Sequence, residues 1–400
     1  MEKHIFCNLD LLRLNLPTPN ITTICRSFVS YMKEINKDKD TYIYFVSMNR
    51  KDLNDAEEAY TDRGYHGFNF IHRTTAGDAV RRRNHQNQQF IFISGKDVDF
   101  HLAVNSQSLF IVPDWIPNEC SARKYGVIVD TPLQLFKFIK TLYNQQSWFA
   151  RLAIEPNVTA LSLMDARFKY KAKTQNEREM VNNFEELLKR GKSRNYYDIL
   201  MYHFLAGMTN SPLFNDIELF GMIPSSNCSL NPDLFSFMHQ VRVIKNKHIP
   251  RNIPNGENIL LRKIPKLKAH ENYSTGARVM MGAVDEFKTL CVNPDFKNKI
   301  DSLRKANRLN LCIFDDYMTH GNTFNAVRNL FKALGANKMV FVSLGSFCQP
   351  FQKKDYTLHG SVYDVGYTYT FERESVKYFD YDYNAKDEVD ELYDIFNQED

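Results

Sequence analysis

The stretch LCIFDDYMTHGNTFNAVRNLFKALGA, residues 311–336, decides the fold. A short, continuous apolar run reads as a buried strand. It ends in two adjacent acids, Asp315 and Asp316, and passes into a polar loop with one glycine, Gly321. From Asn325 onward, Ala326, Leu330, Phe331 and Leu334 recur at helical spacing, and Gly335 stands where a helix would stop. A strand, a polar loop and a helix N-terminus make an anion site, because the first helical N–H groups lack intrahelical acceptors and the dipole favours negative charge. A phosphate in direct contact would repel the two acids. They suit hydroxyls, or a divalent cation, further along the same ligand.

The surrounding sequence supports an α/β class. HIFCNL (4–9), TYIYFVS (41–47), QFIFIS (89–94) and SLFIVP (108–113) read as strands, with a helix over TICRSFVSYMKEI (23–35); the alternation predicts a parallel sheet. Helices are expected over 130–149, 176–191 and 196–208, and strands over 217–224 and 338–347. Four hundred residues exceed what one core usually covers, so two domains are expected. We set them at 1–125 and 196–400, with a helical connector at 126–195 and an acidic, tyrosine-rich tail. The 51 basic and 47 acidic residues give a net charge of +4, too little to argue for nucleic acid. Seven scattered cysteines with no C-x-x-C pair fit reduced thiols. No apolar run approaches membrane-spanning length and no signal pattern opens the chain, so a cytoplasmic protein is expected.

The order apolar strand, Asp-Asp, two residues, Thr-x-Gly-x-Thr resembles the 5-phosphoribosyl-1-pyrophosphate (PRPP) loop of type I phosphoribosyltransferases. The resemblance implies that Asp315 and Asp316 hold the ribose hydroxyls near the Mg²⁺ that PRPP carries. It implies further that Thr319, His320, Gly321, Asn322 and Thr323 wrap the 5′-phosphate. Glycine permits the close backbone approach, and the threonines donate without adding charge. His320 departs from the family, which has Thr or Ser there. Upstream, DIELFGMIPSSN (216–227) offers Ser225 and Ser226 at a strand end, where ligands bind in open α/β sheets. The basic segment 259–278 is similar to that of the ComF branch; Arg262, Lys263, Lys266, Lys268 and Arg278 would offset the charge of leaving pyrophosphate. The implied catalytic residues are Asp315, Asp316 and Arg278, with Mg²⁺ as cofactor and PRPP or a nucleotide as ligand. The acceptor base is not readable, and a homo-oligomer or a subunit of a larger complex is expected. An alternative within the same fold is a site that binds a nucleotide or PRPP only as a signal, as an effector subunit of a bacterial stress or defence complex.

The N-terminal third resembles haloacid dehalogenase-like (HAD) hydrolases. HIFCNLDLLRLNLP matches their first motif, YFVSMN their second, and FISGKDVDFHLAVNS followed by LFIVP their last. Asp10, Ser47, Asp97 and Asp99 fit or nearly fit. Asn8 stands at the nucleophile position, however, and a neutral amide forms no aspartyl-phosphate. Gly95 replaces one acid of the last motif, Lys96 brings positive charge there, and Arg81–Arg83 crowd the region of the missing third-motif lysine. The expectation is a HAD-like Rossmannoid fold without phosphatase activity. Elsewhere, the eleven histidines form no H-E-x-x-H helix. YDVGYTYTF (363–371) reads as a strand with core-facing aromatics, and the tail KDEVDELYDIF as either a partner-binding or a docked helix.

Overall fold

The computed structural model describes residues 2–12, 19–82, 88–145, 147–167, 175, 178, 195–247, 258–266 and 284–397. Strands β1 (Glu2–Asn8), β2 (Thr41–Ser47), β3 (Phe68–His72), β4 (Gln88–Ile93), β5 (Leu109–Pro113) and β6 (Val127–Val129) form sheet A, in the order β3-β2-β1-β4-β5-β6. Every pairing in it is parallel. The chain order reverses beside β1, so the β1/β4 crevice is a topological switch point.

The rest of the chain supplies β7 (Ala150–Glu155), β8 (Val158–Asp165), β9 (Leu219–Met222), β10 (Leu260–Arg262), β11 (Leu290–Val292), β12 (Asn310–Met318), β13 (Lys338–Ser346), β14 (Phe351–His359), β15 (Thr368–Lys377) and β16 (Asp380–Tyr381). Sheet B runs β16-β7-β8-β13-β12-β9, parallel from β8 to β9 and antiparallel at β7 and β16. β10–β11 and β14–β15 are separate two-stranded antiparallel ribbons.

Side-chain alternation along the strands explains how the sheets meet. In sheet A, Ile5, Cys7, Ile91, Ile93, Leu109 and Ile111 face one core, while Phe6, Phe90, Phe92 and Phe110 face another. In sheet B, Cys312, Phe314, Val340 and Val342 face that same first core, whereas Leu311, Ile313, Met339 and Phe341 face a third. The two sheets therefore share one apolar layer of helices. At its centre lies the helix Asn195–Asn210, apolar nearly all round, which touches both β5 and β8. Phe204 on it packs its ring against Phe314 of β12 and Phe237, centroids 5.5 Å away in both cases.

Two expectations change here. Residues 126–195 are not a helical connector: their described part holds β6, the helix Pro132–Asn144 and the β7–β8 hairpin, so strands from this stretch complete both sheets. The alternating run ARLAIE and the nearly continuous buried run VTALSLMD carry that signal. The expected helix 176–191 lies outside the described residues except for Arg178, which is helical. In β15 the aromatics are not all buried. Tyr367, just before the strand, is buried and Tyr369 packs on the core, but Phe371, on the same face and against Tyr356, is 53 % exposed. The tail forms the helix Tyr383–Asn397, docked on the shared layer through Val389 and Leu392. All seven cysteines are free thiols. No described helix is long and apolar enough to cross a membrane.

Candidate functional site

The decisive stretch folds as its pattern predicts, with one extension. β12 continues through both acids to Met318, paired with β9 on one side and β13 on the other. Asp315 and Asp316 thus stand near the C-terminal end of a central parallel strand. Each Oδ1 accepts the next backbone N–H, of Asp316 at 2.9 Å and of Tyr317 at 2.6 Å. Desolvation, then the neighbouring Asp316 carboxylate and Glu286, push the Asp315 carboxyl well above the usual carboxylate range.

Gly321 then turns the chain with φ +70°, and a Cβ there would strike the ring of Phe351. Only glycine accepts both the left-handed backbone and the close ring. The helix Asn322–Ala333 begins at once, its first bond running from Asn325 N to Gly321 O at 2.8 Å. It ends as anticipated: Gly335 takes φ +79°, donating to Lys332 O, while Ala336 donates to Phe331 O. Thr319 is exposed, and His320 carries a buried Nδ1 with no hydrogen-bond partner among the described residues. An orphan polar atom in an anion-type loop is a place for water or ligand.

The neighbouring strand brings the second piece. Ile223 N donates to Phe314 O, and the chain then turns through Pro224–Ser229, with Ser225 N bonded to Ser229 O at 2.8 Å. The buried Asn258 seals the open edge of β9, exchanging bonds with Met222 N and O at 2.9 Å each. That fixes β10 beside the turn. Arg262 reaches Pro224 O and Thr289 Oγ1 and pairs with Glu286 at 2.9 Å. Lys266 donates its N–H to Ser226 O and its ammonium to Glu286 at 2.6 Å. Thr323 Oγ1 donates to the same carboxylate at 3.1 Å. Ser225, Ser226, Arg262, Asp315, Asp316 and the 319–323 loop therefore gather at one sheet edge. Lys263 does not join them; its exposed ammonium pairs with Asp364. Arg278 and Lys268 lie outside the described residues. Glu286 was missed by sequence reasoning, since the two acids of VDEF belong to no motif.

A second cluster occupies the switch point of sheet A. Buried Asp99 accepts from Asn8 Nδ2 and Ser94 Oγ at 2.7 Å each and from Arg73 Nε at 2.8 Å. Lys96 stands 3.8 Å from Asp10 and 3.7 Å from Glu119. Ser47 ends β2, its hydroxyl accepting from Asn49 N. Three of the residues singled out in the sequence take these places. Asp97 turns away to accept from Ala122 N, bracing the helix Cys120–Tyr125. Arg81 pairs with Asp78 on an exposed face and Arg82 is exposed, so Arg73 is the cation that enters; Arg83 lies outside the described residues. Gly95 has a steric reason: a Cβ would collide with Pro117 O and Asn118.

Against known proteins, the chain matches no family model, no curated protein and no solved structure.

Proposed function

We propose that the C-terminal edge of sheet B binds PRPP and that the chain is a phosphoribosyltransferase, with a phosphoribosyltransferase-like C-terminal half and a HAD-like N-terminal half. One observation carries this reading. A half-buried acid pair on a central parallel strand runs straight into a glycine-turned loop and a helix N-terminus, beside the turn of the neighbouring parallel strand. Asp315 and Asp316 would hold the ribose hydroxyls, and Thr319, Gly321, Asn322 and Thr323 the 5′-phosphate, with His320 Nδ1 as a further ligand contact. Ser225 and Ser226 would face pyrophosphate. As the C1–O bond to pyrophosphate breaks, its electron pair leaves with the pyrophosphate; the acceptor nitrogen's lone pair forms the new C1–N bond.

Two adjacent carboxylates, one held above its normal range by desolvation and its neighbour, gain from a cation that arrives on the ligand. Asp315 and Asp316 would hold Mg²⁺ with ligand oxygens, and bound there it would neutralise charge on the pyrophosphate.

A specific observation favours the sensing alternative. Arg262 and Lys266 are already neutralised by Glu286, and Lys263 by Asp364, so these cations do not stand ready for a leaving group. Calorimetric titration of the full chain with PRPP and Mg²⁺ tests binding. Asp315→Asn/Asp316→Asn should abolish it, and unchanged binding in that variant would remove the assignment. Pyrophosphate release with candidate bases would mark an enzyme; saturable binding without turnover would mark a sensor.

For the N-terminal half, the amide of Asn8 supplies no nucleophile, and its bond to Asp99 makes it a donor holding the cluster together. The full chain should therefore show no hydrolysis of generic phosphate esters with Mg²⁺. Turnover that Asp10→Asn abolishes would overturn this.

A further inference from the structure

Glu286 is 3 % exposed, yet it carries a charge at the centre of the candidate site. Its Oε1 accepts from the Lys266 ammonium and the Thr323 hydroxyl at 2.6 and 3.1 Å, while its Oε2 forms an ion pair with the Arg262 guanidinium at 2.9 Å and has no hydrogen bond among the described residues. That donor set is the kind that holds a phosphate group. Each donor belongs to an element of the site. Arg262 and Lys266 also grip the 224–226 turn through Pro224 O and Ser226 O, and Thr323 opens the helix behind the glycine loop. The carboxylate is costly to keep there, because burial disfavours its charge and it adds to the field that already disfavours ionised Asp315. The two cations hold its own carboxyl below the usual range despite the burial, so it stays charged.

We propose that Glu286 is a specificity-determining residue: an internal anion that occupies the cationic end of the site, so that a ligand must displace it to reach Arg262, Lys266 and Thr323. The site is that of the reading above, on which this inference rests. A dianionic monophosphate offers little over the carboxylate already bound. A pyrophosphate group, with more charge and two linked phosphates, offers oxygens to both cations at once. The ligand class is therefore pyrophosphate-bearing rather than monophosphate-bearing, and Glu286 sets that discrimination.

The experiment is calorimetric titration of the full chain with inorganic pyrophosphate and, separately, inorganic phosphate, each with Mg²⁺. Wild type should bind pyrophosphate and take up phosphate far more weakly. Glu286→Gln removes one negative charge from the donors and should tighten pyrophosphate by about tenfold, with a larger gain for phosphate. Unchanged or weakened pyrophosphate binding in a folded Glu286→Gln protein overturns the assignment. Should Arg262, left without its partner, keep that variant from folding, Glu286→Asp retains the charge but withdraws it from Thr323. It should tighten pyrophosphate by about threefold, and no gain there is equally fatal. A parallel PRPP titration separates the two readings. Tightened pyrophosphate with no PRPP bound by either protein keeps Glu286 as the guard of a pyrophosphate site and overturns the phosphoribosyl reading. PRPP bound, with pyrophosphate affinity unmoved by the substitution, overturns only the role of Glu286.

Discussion

Asp315 joins stability to function at the scale of one residue. Its folded-state pKa lies above the ordinary 3.8 because desolvation, Asp316 and Glu286 all disfavour the charged form. Above pH 3.8 the folded protein then binds more protons than the unfolded chain, so stability falls as pH rises toward the raised folded-state pKa and stays reduced beyond it. Asp315→Asn removes that loss. The ligand-free variant should be more stable than wild type at pH 7, with the advantage shrinking toward zero as pH approaches about 4. Between about pH 4 and the raised pKa, each unit of pH changes it by about 1.4 kcal/mol. Urea midpoints at several pH values check this, and an advantage independent of pH would contradict it. The acids themselves were readable, because two carboxylates at the end of an apolar run are conspicuous. Their electrostatic setting was not, since Glu286 reaches them from 29 residues upstream in sequence.

The helix Asn322–Ala333 makes the same point for an element. Its apolar residues Ala326, Leu330, Phe331 and Leu334 mark one face against the sheet, and their spacing says nothing of what Asn325, Arg328 and Asn329 meet. All three are buried, because the β14–β15 ribbon covers that side. Asn325 and Asn329 bond the free edge of β14 at Lys354 N, Lys354 O and Tyr356 N, taking the place of a missing strand. Arg328, fully buried, pairs with Glu155 at 2.6 Å and Asp355 at 2.7 Å. Lys353 and Arg373 also pair with Asp355, so its carboxyl is held far below the usual range despite its burial. Arg328→Ala should destabilise the protein by about 3 kcal/mol, since it leaves Lys354 O and two carboxylates short of a donor. Denaturant unfolding measures it, and a loss under about 1 kcal/mol would show that Lys353 and Arg373 suffice.

The whole molecule is layered as helices, sheet A, shared helices, sheet B and an outer layer with the β14–β15 ribbon. The shared layer is one continuous core, with the helix Asn195–Asn210 touching strands of both sheets. Unfolding of the full chain should be a single transition, with the same midpoint by tryptophan fluorescence and by hydrogen exchange in β1 and β12. Trp115 reports near Phe28 under sheet A, and Trp148 packs on Phe204 and Gly207 in the shared layer. Separate midpoints for the two sheets would contradict the shared core. Phe204→Ala, costing about 3–5 kcal/mol, should lower both signals together.

Sequence alone determined what local periodicity and loop chemistry can fix. β2 runs over Thr41–Ser47 and β13 over Lys338–Ser346 almost as their apolar runs dictate, and the Asp-Asp, Gly321 and Gly335 signals fell on a strand end, a turn and a helix stop. Those features depend on residues within a few positions of one another. The tertiary structure decided whatever joins distant segments. It gave β7 and β8 to sheet B, sent Asp97 to a helix end and Lys263 to Asp364, and brought Arg73 to Asp99 and Glu286 to Thr323. A buried charge is tolerable only where the fold supplies its partner, and that partner's position is a property of packing, not of spacing along the chain.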